Sequence, residues 1–306
     1  MKPQPSQRKP WRTIVFIILG LTFASLLLAG AVGFFVETPQ SGNVAVISIR
    51  GTISEDPDSS WTADGTAARD IVPLIKKANE DSAVRAILVD INSPGGSAVA
   101  SDEIGQALSN VSKPTVALIH EVGASGAYWI ATSTDHIIAN RMSITGSIGV
   151  IGSYLEFPDL LSRYNVTYRR LVAGKYKDMG TPFREMSNEE QQLFQSVLDD
   201  LRWEFVSTVA TNRHLPKDKV DVLATGQFYT GKQALNAGLV DELGGESEAI
   251  AHLGSKINTT VELVPFEVKR SIFDKLAGLI SQQSFSMGEG IGSGLVKQDT
   301  GVPQLH

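Results

Sequence analysis

The 306-residue chain contains no cysteine. Thiol catalysis, disulfides and cysteine-based zinc sites are excluded, and the composition suits an extracytoplasmic location. Basic residues are also scarce: 27 Lys and Arg against 33 Asp and Glu leave a net charge of −6 and a pI near 5.4. Nucleic-acid binding needs a basic patch, so no nucleic-acid partner is expected. His120, His136, His214, His252 and His306 are scattered, with no HExxH or paired spacing. Neither a metal nor another cofactor is expected.

Acid is missing from the first 36 residues, while Lys2, Arg8, Lys9 and Arg12 supply positive charge. From Ile14 to Val36 there is no charge of either sign, roughly the 20 apolar residues a bilayer span requires. Glu37 and Pro39 close the run. Basic residues before the span and acid after it place the N-terminus in the cytoplasm and the remainder outside. A cleaved signal peptide is the rival reading, because Ala29-Gly30-Ala31 resembles a cleavage site. The apolar run continues through Phe34, Phe35 and Val36, which is long for such a peptide. The chain therefore divides into a cytoplasmic tail (1–12), an anchor (13–36), a folded domain (41–270) and an amphipathic segment with a flexible tail (271–306).

Within the domain, short β-type runs alternate with helical spacing. Val44–Arg50, Val84–Ile91, Thr115–Ile119 and His136–Ala139 read as strands, and so do Val166–Val172 and Thr260–Pro265. Helices are expected over Ala67–Asn79, Ala98–Asn110 and Asp159–Tyr164, and from a capping box at Ser187 to about Asn212. Phe194, Val197, Leu198, Leu201 and Phe205 would form the apolar stripe of that last helix. Pro216 opens a short helix, and a further one follows Gly245 through Leu253. The alternation predicts an α/β domain with its turns gathered at the carboxyl ends of parallel strands.

The turn Gly123-Ala-Ser-Gly-Ala127 stands out. It follows a strand and precedes a helix, which places the Ser125 hydroxyl beside free backbone N–H groups able to hold an oxyanion. A serine needs a base. His120 lies at the end of the feeding strand and reads as a locally bonded residue. Asp241 and His252 come in the order of a hydrolase triad but only about one helix apart. Lysine is the other candidate, since burial can lower its pKa toward neutrality. Leu171-Val-Ala-Gly-Lys-Tyr-Lys-Asp178 carries two lysines among apolar and aromatic residues, and composition does not choose between Lys175 and Lys177.

Six segments in series are Asn92-Ser-Pro-Gly-Gly96, Gly123-Ala-Ser-Gly-Ala-Tyr128, Ile144-Thr-Gly-Ser-Ile-Gly-Val150, Gly174-Lys-Tyr-Lys-Asp178, Phe183-Arg-Glu-Met186 and Ala234–Gly244. Together they resemble the bacterial signal peptide peptidase A (SppA) family in its short, single-repeat form. The resemblance implies a membrane-anchored Ser–Lys serine endopeptidase of the Clp-protease/crotonase fold. By position it makes Ser125 the nucleophile, Lys177 the general base and Ser147 the residue that orients the lysine. Gly96 and Gly126 become the oxyanion hole, and Lys175 falls outside the motif. It also implies remnant signal peptides bound as extended strands, and a ring-like homo-oligomer, an octamer for the short form, whose dyad draws on neighbouring subunits. Clp proteases place a histidine soon after the serine, where this chain has Gly146-Ser-Ile-Gly-Val150, which favours lysine. The alternatives are a membrane protease of protein quality control and a non-catalytic crotonase-like scaffold.

Overall fold

A computed structural model of the chain describes residues 10–35, 42–56 and 65–267. The chain divides into two units, Met1–Ser41 and Gly42–His306. The expected segment and tail over 271–306 lie outside the described residues.

The first unit contains helix α1 (Pro10–Phe35), about 39 Å long at the usual rise per residue. The side chains described continuously, residues 14–25, are exposed. Among the described residues, no helix is long and apolar enough to cross a membrane. The anchor therefore rests on the uncharged run from Ile14 to Val36 in the sequence.

The second unit opens with β1 (Val44–Ser54), β2 (Thr66–Ala67) and α2 (Ala68–Glu80). Next come β3 (Ala86–Gly96), α3 (Ala98–Ser109), β4 (Thr115–Ala124), α4 (Gly126–Thr132), β5 (His136–Ala139) and β6 (Ile144–Gly146). After a long irregular segment containing α5 (Pro158–Arg163), the chain forms α6 (Asn188–Asn212), α7 (Lys217–Leu223), β7 (Phe228–Thr230) and α8 (Gly231–Ala237). It ends with β8 (Glu242–Leu243), α9 (Glu246–Ile257) and β9 (Leu263–Pro265). The sheet order is β2-β1-β3-β4-β5-β8, with β9 beside β1 and β6 beside β4. All pairings are parallel except β6 with β7.

Alternate residues of the central strands face two separate cores, as expected of a parallel sheet covered on both sides. Ile47, Ile49, Ile87, Val89, Ala117 and Ile119 meet Ile71 and Ile75 of α2, Ile104 of α3 and Ala127 to Ala131 of α4. Ala86, Leu88, Val116, Leu118 and Ile138 meet Ala249, Leu253 and Ile257 of α9. The α4 helix is buried on every side. Its Tyr128 hydroxyl donates 2.7 Å to the Leu239 carbonyl, and burial pushes that phenol's pKa up.

Three expectations need correction. The strand Thr115–Ile119 continues to Ala124, and β3 likewise runs on to Gly96, so the turn shrinks to Ser125 itself. Val166–Val172 is not a strand: Val166, Tyr168, Leu171 and Val172 are exposed, and no neighbour pairs with them. A β-branched run has no sheet to join there. The capping box at Ser187 forms, but of the apolar side chains of α6 only those at its far end (Phe205, Val206, Val209 and Ala210) are buried, while Val197 and Leu201 are exposed.

Replacing Tyr128 with Phe leaves the Leu239 carbonyl without its buried donor. Denaturant unfolding of the full chain should show a loss of about 1–3 kcal/mol.

Candidate active site

Ser125 links the end of β4 to the start of α4 with φ 53°, a backbone region that few residues other than glycine adopt. Two neighbours hold it there. On one side, β6 pairs with the last residues of β4 (Gly123 with Thr145, Ala124 with Gly146), and the Ser125 N–H donates 2.8 Å to the Gly146 carbonyl. Thr145 reinforces the pair by donating from Oγ1 to the Gly123 carbonyl at 2.7 Å. On the other side lies the end of β3. A Cβ on Gly95, whose φ is +99°, would sit 2.7 Å from the Ala124 carbonyl and the Gly126 nitrogen. A Cβ on Gly96 would strike the Ile53 backbone. Only bare backbone fits between β1 and the serine turn.

A Cβ on Gly126 would lie 3.4 Å from the Gly96 nitrogen, so the backbones of the two glycines named for the oxyanion hole are close neighbours. Gly126 begins α4, where the first amides lack intrahelical acceptors. Ser101 of α3 packs directly against Gly126 and donates 2.8 Å to the Ser97 carbonyl.

Ser147 is the next residue along β6, as Ser125 is along β4. The last pair in register, Ala124 with Gly146, immediately precedes both serines, and both have positive φ (51° for Ser147). The Ser147 N–H donates to the Gln227 carbonyl (2.9 Å) and its hydroxyl to the Gly226 carbonyl (3.3 Å). With its hydrogen committed, that oxygen keeps lone pairs for a positively charged donor.

The two lysines differ. The Lys175 ammonium pairs with Glu189 and lies over the Tyr176 ring at 4.9 Å. Hydrogen bonds, first to Glu189 and then to Tyr176, hold its pKa above the ordinary value, so it stays protonated. Lys177 is exposed, and among the described residues its side chain has no hydrogen bond or ion pair, none to Ser125 or Ser147 included. The dry lysine expected of a general base is not formed within this single chain.

A charge network that sequence reasoning did not single out fixes the turn carrying Lys177. Arg170 grips Asp178 through two bonds of 2.6 and 2.8 Å. Arg184 bonds the same carboxylate at 3.1 and 3.2 Å and Glu190 at 2.6 and 2.8 Å. Glu190 is buried and also accepts from the Ser187 N–H at 2.9 Å. Arg170 and then Arg184 hold the Asp178 carboxyl well below the usual range, and Arg184 first of all lowers that of Glu190 to about 2. The available signal was the nearness of Gly174-Lys-Tyr-Lys-Asp178 and Phe183-Arg-Glu-Met186 in sequence.

The histidines fall elsewhere. His120 bonds Asp90, which also pairs with Arg50, in keeping with a locally bonded strand-end residue. Asp241 and His252 lie near the start of β5, where the Ile137 N–H donates 2.8 Å to Asp241. That is the opposite end of the parallel sheet from Ser125, and they form no triad with it.

The model for the peptidase family S49 matches residues 107–260, which hold the serine turn, β6 and the lysine segment. The chain belongs to peptidase family S49. It is accordingly a serine peptidase of the SppA type that acts on peptides. "Putative protease MJ0651" of Methanocaldococcus jannaschii is 32% identical over 91% of this chain and 92% of its own length. "Putative signal peptide peptidase SppA" of Enterococcus faecium is 32% identical over 76% of this chain and 70% of its own. "Protease 4" of Haemophilus influenzae is 32% identical over 70% of this chain and 35% of its own.

Two outcomes test the geometry. Gly95→Ala, forced to positive φ against the Ser125 turn, should cost roughly 1–3 kcal/mol in thermal unfolding and suppress labelling of Ser125 by an acylating probe. The pairing around Asp178 and Glu190 contributes stability that is complete above the unfolded carboxylate pKa, about 4, and is lost as pH falls toward 2. Pepsin should therefore nick the 164–190 segment increasingly from pH 4 to pH 2, and Arg184→Ala should be nicked already at pH 4.

Proposed function

We propose that this peptidase is a membrane-anchored Ser–Lys endopeptidase that cleaves remnant signal peptides on the extracytoplasmic side of the membrane. The observation that carries the proposal is the pairing of β4 with β6, which ends immediately before Ser125 and Ser147, with the Gly95-Gly96 backbone packed against the Ser125 turn. Lys177 is the base because its amine is uncommitted, whereas Lys175 is held protonated by Glu189.

In this mechanism the neutral Lys177 amine takes the Ser125 Oγ proton as that oxygen attacks the peptide carbonyl. The Gly96 and Gly126 amides stabilise the tetrahedral oxyanion. Lys177, now an ammonium oriented by Ser147, returns the proton to the departing amine. Water, deprotonated by the same lysine, hydrolyses the ester and frees Ser125.

A lysine serves as base near neutrality only when water is excluded from it. The segment that carries Lys177 exposes a run of apolar residues, with Ile151 at 89% and Leu171 at 96% of full exposure, together with Leu155 and Tyr164. Surface of that kind marks an interface. Packing of a second copy over this arm would dry the lysine, which supports a homo-oligomer with a shared dyad, in the octameric ring expected of the short form. The uncharged Ile14–Val36 run supports the anchor, with the N-terminus in the cytoplasm. The name of the Enterococcus faecium relative supports signal peptides as substrates.

Ser125→Ala and Lys177→Ala should each abolish hydrolysis of a synthetic signal peptide while the assembly, read by sedimentation, stays intact. Lys175→Ala should retain most of the activity. Turnover by either dead variant, or an equally inactive Lys175 variant, rejects the dyad. Preference for a full-length membrane protein over the signal peptide would shift the substrate to quality-control targets.

A further inference from the structure

Three side chains, one of them more than a hundred residues from the other two, converge at the amino end of β5. His136 is the first residue of that strand, Glu242 lies on the adjoining edge strand β8, and His252 is on α9. One donor atom from each falls within 4.8 Å of the others. His136 Nε2 and Glu242 Oε2 are 3.2 Å apart, and the two imidazoles stack with centroids 3.8 Å apart. All three residues are partly buried, so they are fixed by their surroundings yet reachable from solvent.

We propose that His136, Glu242 and His252 bind one divalent transition-metal ion of the zinc type. Two imidazoles and one carboxylate suit zinc and its first-row neighbours, whereas calcium and magnesium prefer all-oxygen shells. Donors in a tetrahedral zinc shell lie roughly 3.3 Å apart, given bonds near 2 Å. His136 and Glu242 already have that separation. The His252 ring, now stacked on His136, has a donor atom within 4.8 Å of the other two and must leave the stack to direct it at the ion.

The surroundings also fit. Metal-binding histidines usually present their second nitrogen to a carboxylate, which fixes the ring and strengthens the donor. Here Asp241 Oδ2 stands 3.9 Å from His136 Nδ1, held by Arg213 at 2.6 and 2.9 Å and by the Ile137 N–H at 2.8 Å. Arg213 is thereby committed to Asp241. Lys256, one turn further along α9, opposes a cation through space, an effect that salt screens. The ion would join β5, the two-residue edge strand β8 and α9. Register places His136 level with Val116, nine residues of β4 before Ser125, so the site is roughly 30 Å along the strand from the nucleophile. It is independent of the Ser–Lys chemistry.

The test uses the tag-free full chain in detergent, with Zn²⁺ measured by chelator competition and Co²⁺ by its visible absorption. We expect one ion per chain, a tetrahedral Co²⁺ spectrum and a raised Tm with Zn²⁺. His252→Gln and Glu242→Gln should weaken binding at least about tenfold, Asp241→Asn should weaken it about tenfold to a hundredfold, and His120→Ala should leave it unchanged. Ser125 labelling should persist in the His252 variant, which also shows that this variant is folded. No Zn²⁺ binding and no Co²⁺ spectrum at about 100 µM metal overturns the site, since zinc sites of this donor type bind far more tightly. Undiminished binding in a His136→Ala/His252→Ala double variant, or loss in His120→Ala, overturns it as well.

Discussion

The close approach of backbone to backbone at the carboxyl end of β4 is the constraint on which the site depends. The end of β3 meets the serine turn through Gly95 and Gly96, and β6 meets it through Gly146, where a Cβ would lie 2.5 Å from the Tyr229 ring. Hydrogen bonds from Ser125 to Gly146 and from Thr145 to Gly123 lock the arrangement. The buried α4, whose Trp129 packs tilted on Phe205 of α6 with centroids 4.9 Å apart, backs the turn from the helix side. Main chain in a tightly packed interior cannot drift, so the Ser125 turn and the backbone around it are held in one geometry.

The segment from 151 to 185 follows the opposite plan. It has little regular structure and few buried residues, and charged side chains order it where the nucleophile is ordered by packing. Asp178, Arg170, Arg184 and Glu190 share their charges in a bidentate chain that ends on the capping box of α6. The two segments thus rest on different physics. Ser125 stands at the carboxyl end of a packed central strand, and Lys177 stands on an exposed arm.

The sheet's central strands were legible because runs such as Val84–Ile91 must be apolar on both faces. The capping box at Ser187 was legible because its signal spans only four residues. The missed elements depend on partners distant in sequence. β6 and β7 are three residues each and exist because they pair with each other and with β4. Val166–Val172 has strand composition but no neighbour to bond. In the site, Ser125 and the glycines carried a local signal, while the choice between Lys175 and Lys177 did not. That difference comes from Glu189, more than a helical turn beyond both lysines in sequence. The grouping of His136, Glu242 and His252 was invisible for the same reason, since it follows from the order of strands in the sheet.

The positive φ at both Ser125 and Ser147 limits which chemistries this scaffold can host. A side chain branched at Cβ is a severe outlier in that region of backbone space. Threonine, which can serve as a nucleophile elsewhere, is thus barred from both positions, although its hydroxyl could do the same work. Cysteine is unbranched at Cβ, as serine is, and would fit the turn. The backbone, before any question of reactivity, confines both positions to side chains unbranched at Cβ.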